Sequence, residues 1–467
     1  MAGVRPAAVA FGPIDGFGFE VSLGAFDLRP KGAPDRELVR GLRRWDLVAL
    51  VINSMIGAGI FGLPSRVFAL AGPYSVFAYV VSAVANVVVV LCLAEVGSRF
   101  STTGGPYLYA RAAFGPLIGF QVGWLLWIGR VAASASLANL FVGYFSYFFP
   151  VSGDGPWRST VILAVVSALA AANIGGVRLA AVFTNTLTIG KLVPLLLLIV
   201  TGVFFVDPKL YSSAVPPSYP SFSQAALLLV FTYAGFEGAS IPGGETRDPG
   251  RQLPFALFTG FGLVTLVYML VQTVCIGTLP DLATSERPLA DASRRFLGSP
   301  GASLIAAGAL VSIGGTLNAL LFATPRLLFA IAENGQLPWV FSATHSRYRT
   351  PTLPIILTAA VTLGLALFST FISALTVSNI VRLMAYTTTC AALPVLRRRT
   401  ELPRPAFFVP AGLFVSVFGM ALCVWLLSNS AWSDMRLAGI AIVLGLVLHY
   451  ASALVTQRQA PAAAVGD

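Results

Sequence analysis

"INSMIGAGIFGLPS", residues 52–65, sits in an apolar run yet places Gly57, Gly59, Gly62 and Pro64 within eight positions. Glycine costs a helix interior about 1 kcal/mol and proline about 3, so a helix through this segment is expected to break. The rest of the chain makes that break informative. Its 467 residues are 56% hydrophobic and only 10% charged, with a mean hydropathy of +0.81. Such usage excludes an ordinary soluble domain and indicates an integral membrane protein. At membrane depth, freed backbone groups are tolerated only where they are buried in protein or line a polar cavity. The break therefore asks for a cavity or a ligand, the plainer alternative being glycines that let neighbouring helices pack closely.

Twelve apolar stretches are long enough for a hydrocarbon core of roughly 30 Å. They span 47–70, 74–98, 113–147, 159–177, 181–206, 222–243, 253–279, 302–332, 352–369, 374–396, 406–428 and 436–456. With a cytoplasmic N-terminus, 19 of the 30 Lys and Arg residues fall in cytoplasmic loops and tails and six in outer loops or, for Arg436, at their edge. This bias predicts both termini inside. The net charge of +11 is spread over short loops without an aromatic-interleaved patch, so it points to the membrane rather than to nucleic acid. The first 46 residues mix seven basic with six acidic side chains and show no cleavable signal pattern,. Cys92, Cys275, Cys390 and Cys423 lie in separate spans without metal-type spacing, and His345 and His449 are the only histidines. No metal site, cofactor, paired catalytic carboxylates or phosphate-binding loop is expected, which argues against an enzyme and against ATP-driven transport.

The sixth span, "LLLVFTYAGFEGASIPGGETRDPG" (227–250), is interrupted too, by Gly235, Gly238, Pro242, Gly243 and Gly244, with Glu237 among them. Spans one and six hold corresponding places in two groups of five helices, and an odd helix number sets those groups in opposite orientations. Paired discontinuous helices of this kind indicate an inverted-repeat transporter with a central site.

The fragments "GAGIFGLP", "AEVGSRFSTTGGPYLYARAAFG" (94–115), "FTYAGFEGAS…ETRDPGRQLPFAL" (231–257) and "GTLNALLFATPRLLFAIAENGQLPWVF" (315–341) resemble the amino acid permeases of the amino acid-polyamine-organocation superfamily. The resemblance runs over about residues 42–400. It implies the leucine-transporter fold: an all-α polytopic protein whose first five-helix repeat is 47–206 and whose second, inverted repeat is 222–396. Helices 11 and 12 follow at 406–456, and cytoplasmic tails lie at 1–46 and 457–467. It further implies secondary active transport of amino acids across the cytoplasmic membrane by alternating access. The alternatives are a polyamine or organic-cation permease and a non-transporting amino acid sensor of the same fold.

An unwound helix presents donors where its next half begins and acceptors where its previous half ends. The N–H groups near Ala58 and Gly59 are thus expected to face a substrate carboxylate. By resemblance, the carbonyls of Met55, Phe231 and Ala234 accept from the α-ammonium, and the Phe231 ring closes over the ligand. Ile56, Gly57 and Gly235 complete the expected contacts at the two breaks. On span three, Leu126, Arg130 and Ser134 recur every four residues and share a face; Leu126 and Ser134 match family pocket positions. Arg130 reads either as a contact to a substrate acid or carbonyl group or as an ion-pair partner of Glu237.

Lys191, within "NTLTIGKLVPLLLLIV" (185–200), matches the span-five lysine that in many of these permeases stands where sodium-coupled relatives bind a cation. The resemblance implies a bond to a carbonyl near Gly57 and to a hydroxyl, Ser312 or Thr316, and hence sodium-independent proton symport or amino acid exchange. Lys191 and Glu237 each read as a coupling group or as a fixed tether. Glu95 and Arg326, in family motifs at the expected cytoplasmic ends of spans two and eight, fit gates. Arg382, in span ten, has no partner evident in the sequence.

Overall fold

The computed structural model describes residues 44–100, 105–175, 191–212, 215–237, 249–345, 348 and 350–459. All belong to the larger of the chain's two units, Arg40–Asp467. The N-terminal tail to residue 43, residues 176–190 of the fourth and fifth spans and the connecting loop, and the glycine-rich end of span six (238–248) lie outside the described residues.

Every described element that matters here is helical. The first apolar stretch forms α1 (Arg44–Met55), α2 (Ala58–Gly62) and α3 (Pro64–Ala71). Leu63 between the last two keeps helical dihedrals, and the bonds Leu63 N–H to Gly59 O and Val67 N–H to Leu63 O carry the helix through. The real interruption is at Ile56–Gly57. Next come α4 (Ser75–Gly97), the short α5 (Pro106–Phe114), α6 (Pro116–Phe145), α7 (Gly155–Ile174) and α8 (Lys191–Phe205). After α9 (Tyr219–Tyr233) the chain leaves the helix within span six. The remainder is α10 (Pro249–Thr278), α11 (Pro288–Glu333), α12 (Thr352–Phe368), α13 (Phe371–Arg398), α14 (Gly412–Ser428) and α15 (Trp432–Gln459).

Among the described residues, seven helices are long and apolar enough to cross a membrane, and α8, α12 and α14 are shorter apolar helices. Their outward faces carry Phe77, Val84, Leu163, Phe204, Val443 and Val447, all exposed. Water would oppose that display, whereas lipid tails solvate it. The chain is a multi-pass membrane protein.

The site is positioned by a few packings. Helix α6 runs against α11 and α13, α1 lies along α10, and α4 packs on α9 and α10. The 46-residue α11 is two helices joined at Gly298, whose φ of +65° ends the first segment and starts the second. A side chain there would clash with its own backbone, so glycine is the natural hinge. The segment before it comprises a 3-10 turn at Leu282–Thr284 and the opening of α11.

Candidate functional site

Helix α1 stops at Met55 because Gly57 adopts φ −138° and ψ −141°, with no side-chain cap. The last carbonyls of a helix lack intrahelical donors, and here side chains from distant helices supply them. Lys191 Nζ donates to Asn53 O at 2.5 Å and to Ile56 O at 2.9 Å. Only 3% of Lys191 is exposed, so its charge is compensated by these carbonyls and by the negative end of the helix dipole. The expected hydroxyl contact is not made: Thr316 Oγ1 bonds instead to Ser312 O at 2.9 Å, and Ser312 Oγ has no partner among the described residues. Both side chains still line the cavity described below.

Tyr268 of α10 was not foreseen. Its hydroxyl shares one proton between Met55 O at 2.7 Å and Thr232 O at 3.0 Å, tying the end of α1 to the last turn of α9. The only signal in the sequence is a polar group in mid-span, "LVYMLVQ" at 266–272. Tyr268→Phe is expected to cost about 1–3 kcal/mol, the penalty for leaving a buried acceptor unsatisfied, read as a lower unfolding temperature in detergent. An unchanged unfolding temperature would show that the two breaks are held together without it.

The second break is built against the first. Ala234 turns extended (φ −65°, ψ 151°) and its N–H returns to Phe231 O at 3.2 Å. Gly235 then takes φ +115°, and a Cβ there would collide with the Ser54 carbonyl. A Cβ on Gly59 would come within 2.7 Å of Thr232 Cα. Glycine at both positions thus lets two broken helices touch backbone to backbone. The carbonyls of Met55 and Phe231 each retain a second lone pair for a ligand.

Glu237 closes the second break. Its Oε2 accepts from Gly235 N–H and from Tyr386 O–H, each at 3.0 Å, and its Oε1 from Arg382 Nη1 at 2.5 Å. Arg382 is therefore the carboxylate's ion-pair partner, with both side chains nearly fully buried. The ion pair considered between Arg130 and Glu237 does not form.

Between these elements lies a cavity of about 270 Å³. Met55, Gly57, Gly59, Phe231, Ala234 and Gly235 line it from the breaks, Arg130, Ala133 and Leu137 from α6, and Lys191, Glu237 and Arg382 elsewhere. Three expected pocket positions fall away from it. Ser134 is fully buried, with its hydroxyl on Arg130 O at 2.9 Å, Leu126 packs with Ala110, Val122 and Ala385, and the Ile56 side chain is enclosed in the core. Helix α2 opens at Ala58, whose side chain lies outside the described residues.

Glu95 and Arg326 stand apart from the cavity. Glu95, fully buried, receives Arg397 Nε at 2.7 Å, Arg397 Nη2 at 2.6 Å and Val409 N–H at 2.7 Å. This fork-on-fork pair joins α4 to α13. Arg326 donates to Phe322 O on its own helix.

Residues 42–447 match the family described as amino acid permease. A serine/threonine exchanger of Bacillus subtilis is 30% identical over 408 residues, covering 85% of this chain and 93% of that protein. A methylthioribose transporter of Bacillus subtilis is 27% identical, covering 84% and 88%. A branched-chain amino acid permease of the same organism is 26% identical, covering 91% and 95%. With the match running from the start of α1 into α15, this chain belongs to the amino acid permease family.

Proposed function

We propose that the protein is a secondary transporter that carries amino acids across the cytoplasmic membrane by alternating access, without sodium, either with protons or in exchange for another amino acid. The observation that carries this reading is the cavity where two interrupted helices meet, large enough for one small solute and lined by their backbone. A zwitterion complements such a site: N–H groups open one half-helix and carbonyls end the other. Twelve membrane helices in two inverted groups of five, 47–206 and 222–396, with two more at 406–456 and both termini cytoplasmic, belong to the same proposal. They rest on the hydropathy pattern, the distribution of basic loops and the paired breaks. Sodium independence rests on Lys191, whose ammonium already bonds the carbonyls beside the first break.

Relatives that carry serine, threonine or branched-chain amino acids by name support the amino acid class, and the one named for methylthioribose gives a competing solute. A polyamine is disfavoured, because among the described residues the cavity lining holds Arg130, Lys191 and Arg382 against one carboxylate, Glu237. The test is counterflow in proteoliposomes, with and without sodium. Sodium-free counterflow of an amino acid is expected. A strict need for sodium would overturn the coupling, and binding without counterflow would favour a sensor.

A further inference from the structure

Three cations and one carboxylate line the cavity among the described residues, and one of those cations has no acceptor there. Of its charged groups, Lys191 is spent on two carbonyls, and Arg382 is paired with Glu237. Both oxygens of Glu237 are engaged, one by Arg382 and the other by Gly235 N–H and Tyr386 O–H. Arg130 remains. Its guanidinium lines the cavity, and among the described residues no hydrogen bond or ion pair reaches it. An arginine at membrane depth is costly unless it meets an acceptor or water, and its planar fork is matched best by a carboxylate accepting two parallel N–H bonds. The same cavity wall carries small and apolar residues, Ala133 and Leu137 on the helix of Arg130 and Gly315, Ala319 and Ala323 at four-residue spacing on α11. Of the three cations lining the cavity, Arg130 is the one with neither a carbonyl nor a carboxylate partner among the described residues.

Accepting the amino acid reading of the site, we infer that the transported amino acid carries a side-chain carboxylate, which Arg130 binds as a forked pair. With such a ligand, the one cation of the cavity left without an acceptor, Arg130, meets one negative charge. The amide analogue offers one oxygen in place of two and no charge, so it binds more weakly. A purely aliphatic side chain leaves the guanidinium unsatisfied.

The test is counterflow in proteoliposomes of the full-length protein with L-glutamate, L-aspartate, L-glutamine, L-alanine and L-leucine. Wild-type protein is expected to prefer glutamate or aspartate over glutamine by roughly tenfold or more, the factor for losing one charge-assisted contact. Arg130→Gln should erase that preference, and Arg130→Lys should retain part of it. The wild-type selectivity stands as a readout even if a variant fails to fold. Counterflow of neutral amino acids at least equal to that of the acids overturns this inference and leaves the transporter assignment standing. An acid preference untouched by Arg130→Gln in folded protein overturns the assignment to Arg130. Absence of counterflow with every amino acid overturns both.

Discussion

Glu237→Gln is expected to destabilise the protein by about 3–5 kcal/mol, the usual cost of removing one partner of a buried ion pair. The effect is large because the change strands a charge. Arg382 is only 8% exposed, and its Nε already has no acceptor among the described residues. Losing the carboxylate leaves the guanidinium near Tyr386 with no anion within ion-pair distance among the described residues. Arg382→Met is expected to cost a similar amount, because Glu237 then keeps a buried negative charge without its ion-pair partner, although Gly235 N–H and Tyr386 O–H still donate to it. The double variant Glu237→Gln, Arg382→Met should be more stable than either single variant, since apolar or neutral replacement of a whole buried pair is often tolerated. Thermal unfolding of the four proteins in detergent gives the cycle. A double variant as unstable as the sum of the singles would mean that the two side chains act independently.

That pairing also shows where sequence reading reaches its limit. Apolar runs and helix breakers act locally, so the helices and the interruption at Ile56–Gly57 were legible: glycine and proline penalties do not depend on what packs nearby. The choice of Arg382 over Arg130 as partner of Glu237 is a tertiary matter. It links residues 145 positions apart, and each arginine alone is an equally good candidate.

Helix rotation was hidden for a related reason. From Arg130, the positions at i+3 and i+4 flank the same helical face, and the sequence favoured Ser134 at i+4. In the structure the helix is turned so that Ala133 and Leu137 face the cavity while the Ser134 hydroxyl bonds to its own backbone. Van der Waals packing of α6 against α11 and α13 decides that rotation,. Tyr268 was missed because its role lies in joining two backbones that only the fold brings together. A carbonyl left over by a break has no sequence signature for its donor, only the rule that a donor must exist.

Lys191→Met is expected to reduce transport by roughly tenfold or more, given two buried carbonyls each left unsatisfied at about 1–3 kcal/mol. Methionine keeps most of the aliphatic volume, so the comparison isolates the ammonium. The carbonyls of Asn53 and Ile56 end a helix whose dipole favours a cation at that point, and Lys191 bridges them from α8. Without that bridge the end of α1 has lost the link that fixes its position against α8. A site that must form and dissolve as the protein changes conformation should then lose turnover more than affinity. Ligand-induced thermal stabilisation is therefore expected to change by less than about threefold in apparent affinity, well below the loss in counterflow rate. Equal losses in both measurements would assign Lys191 to ligand binding alone, and undiminished counterflow would make it a static support of the bundle. Lys191→Arg discriminates further. A guanidinium is a planar fork with little match for two helix-end carbonyls approached by a compact ammonium, so retention of positive charge alone should restore little of the rate.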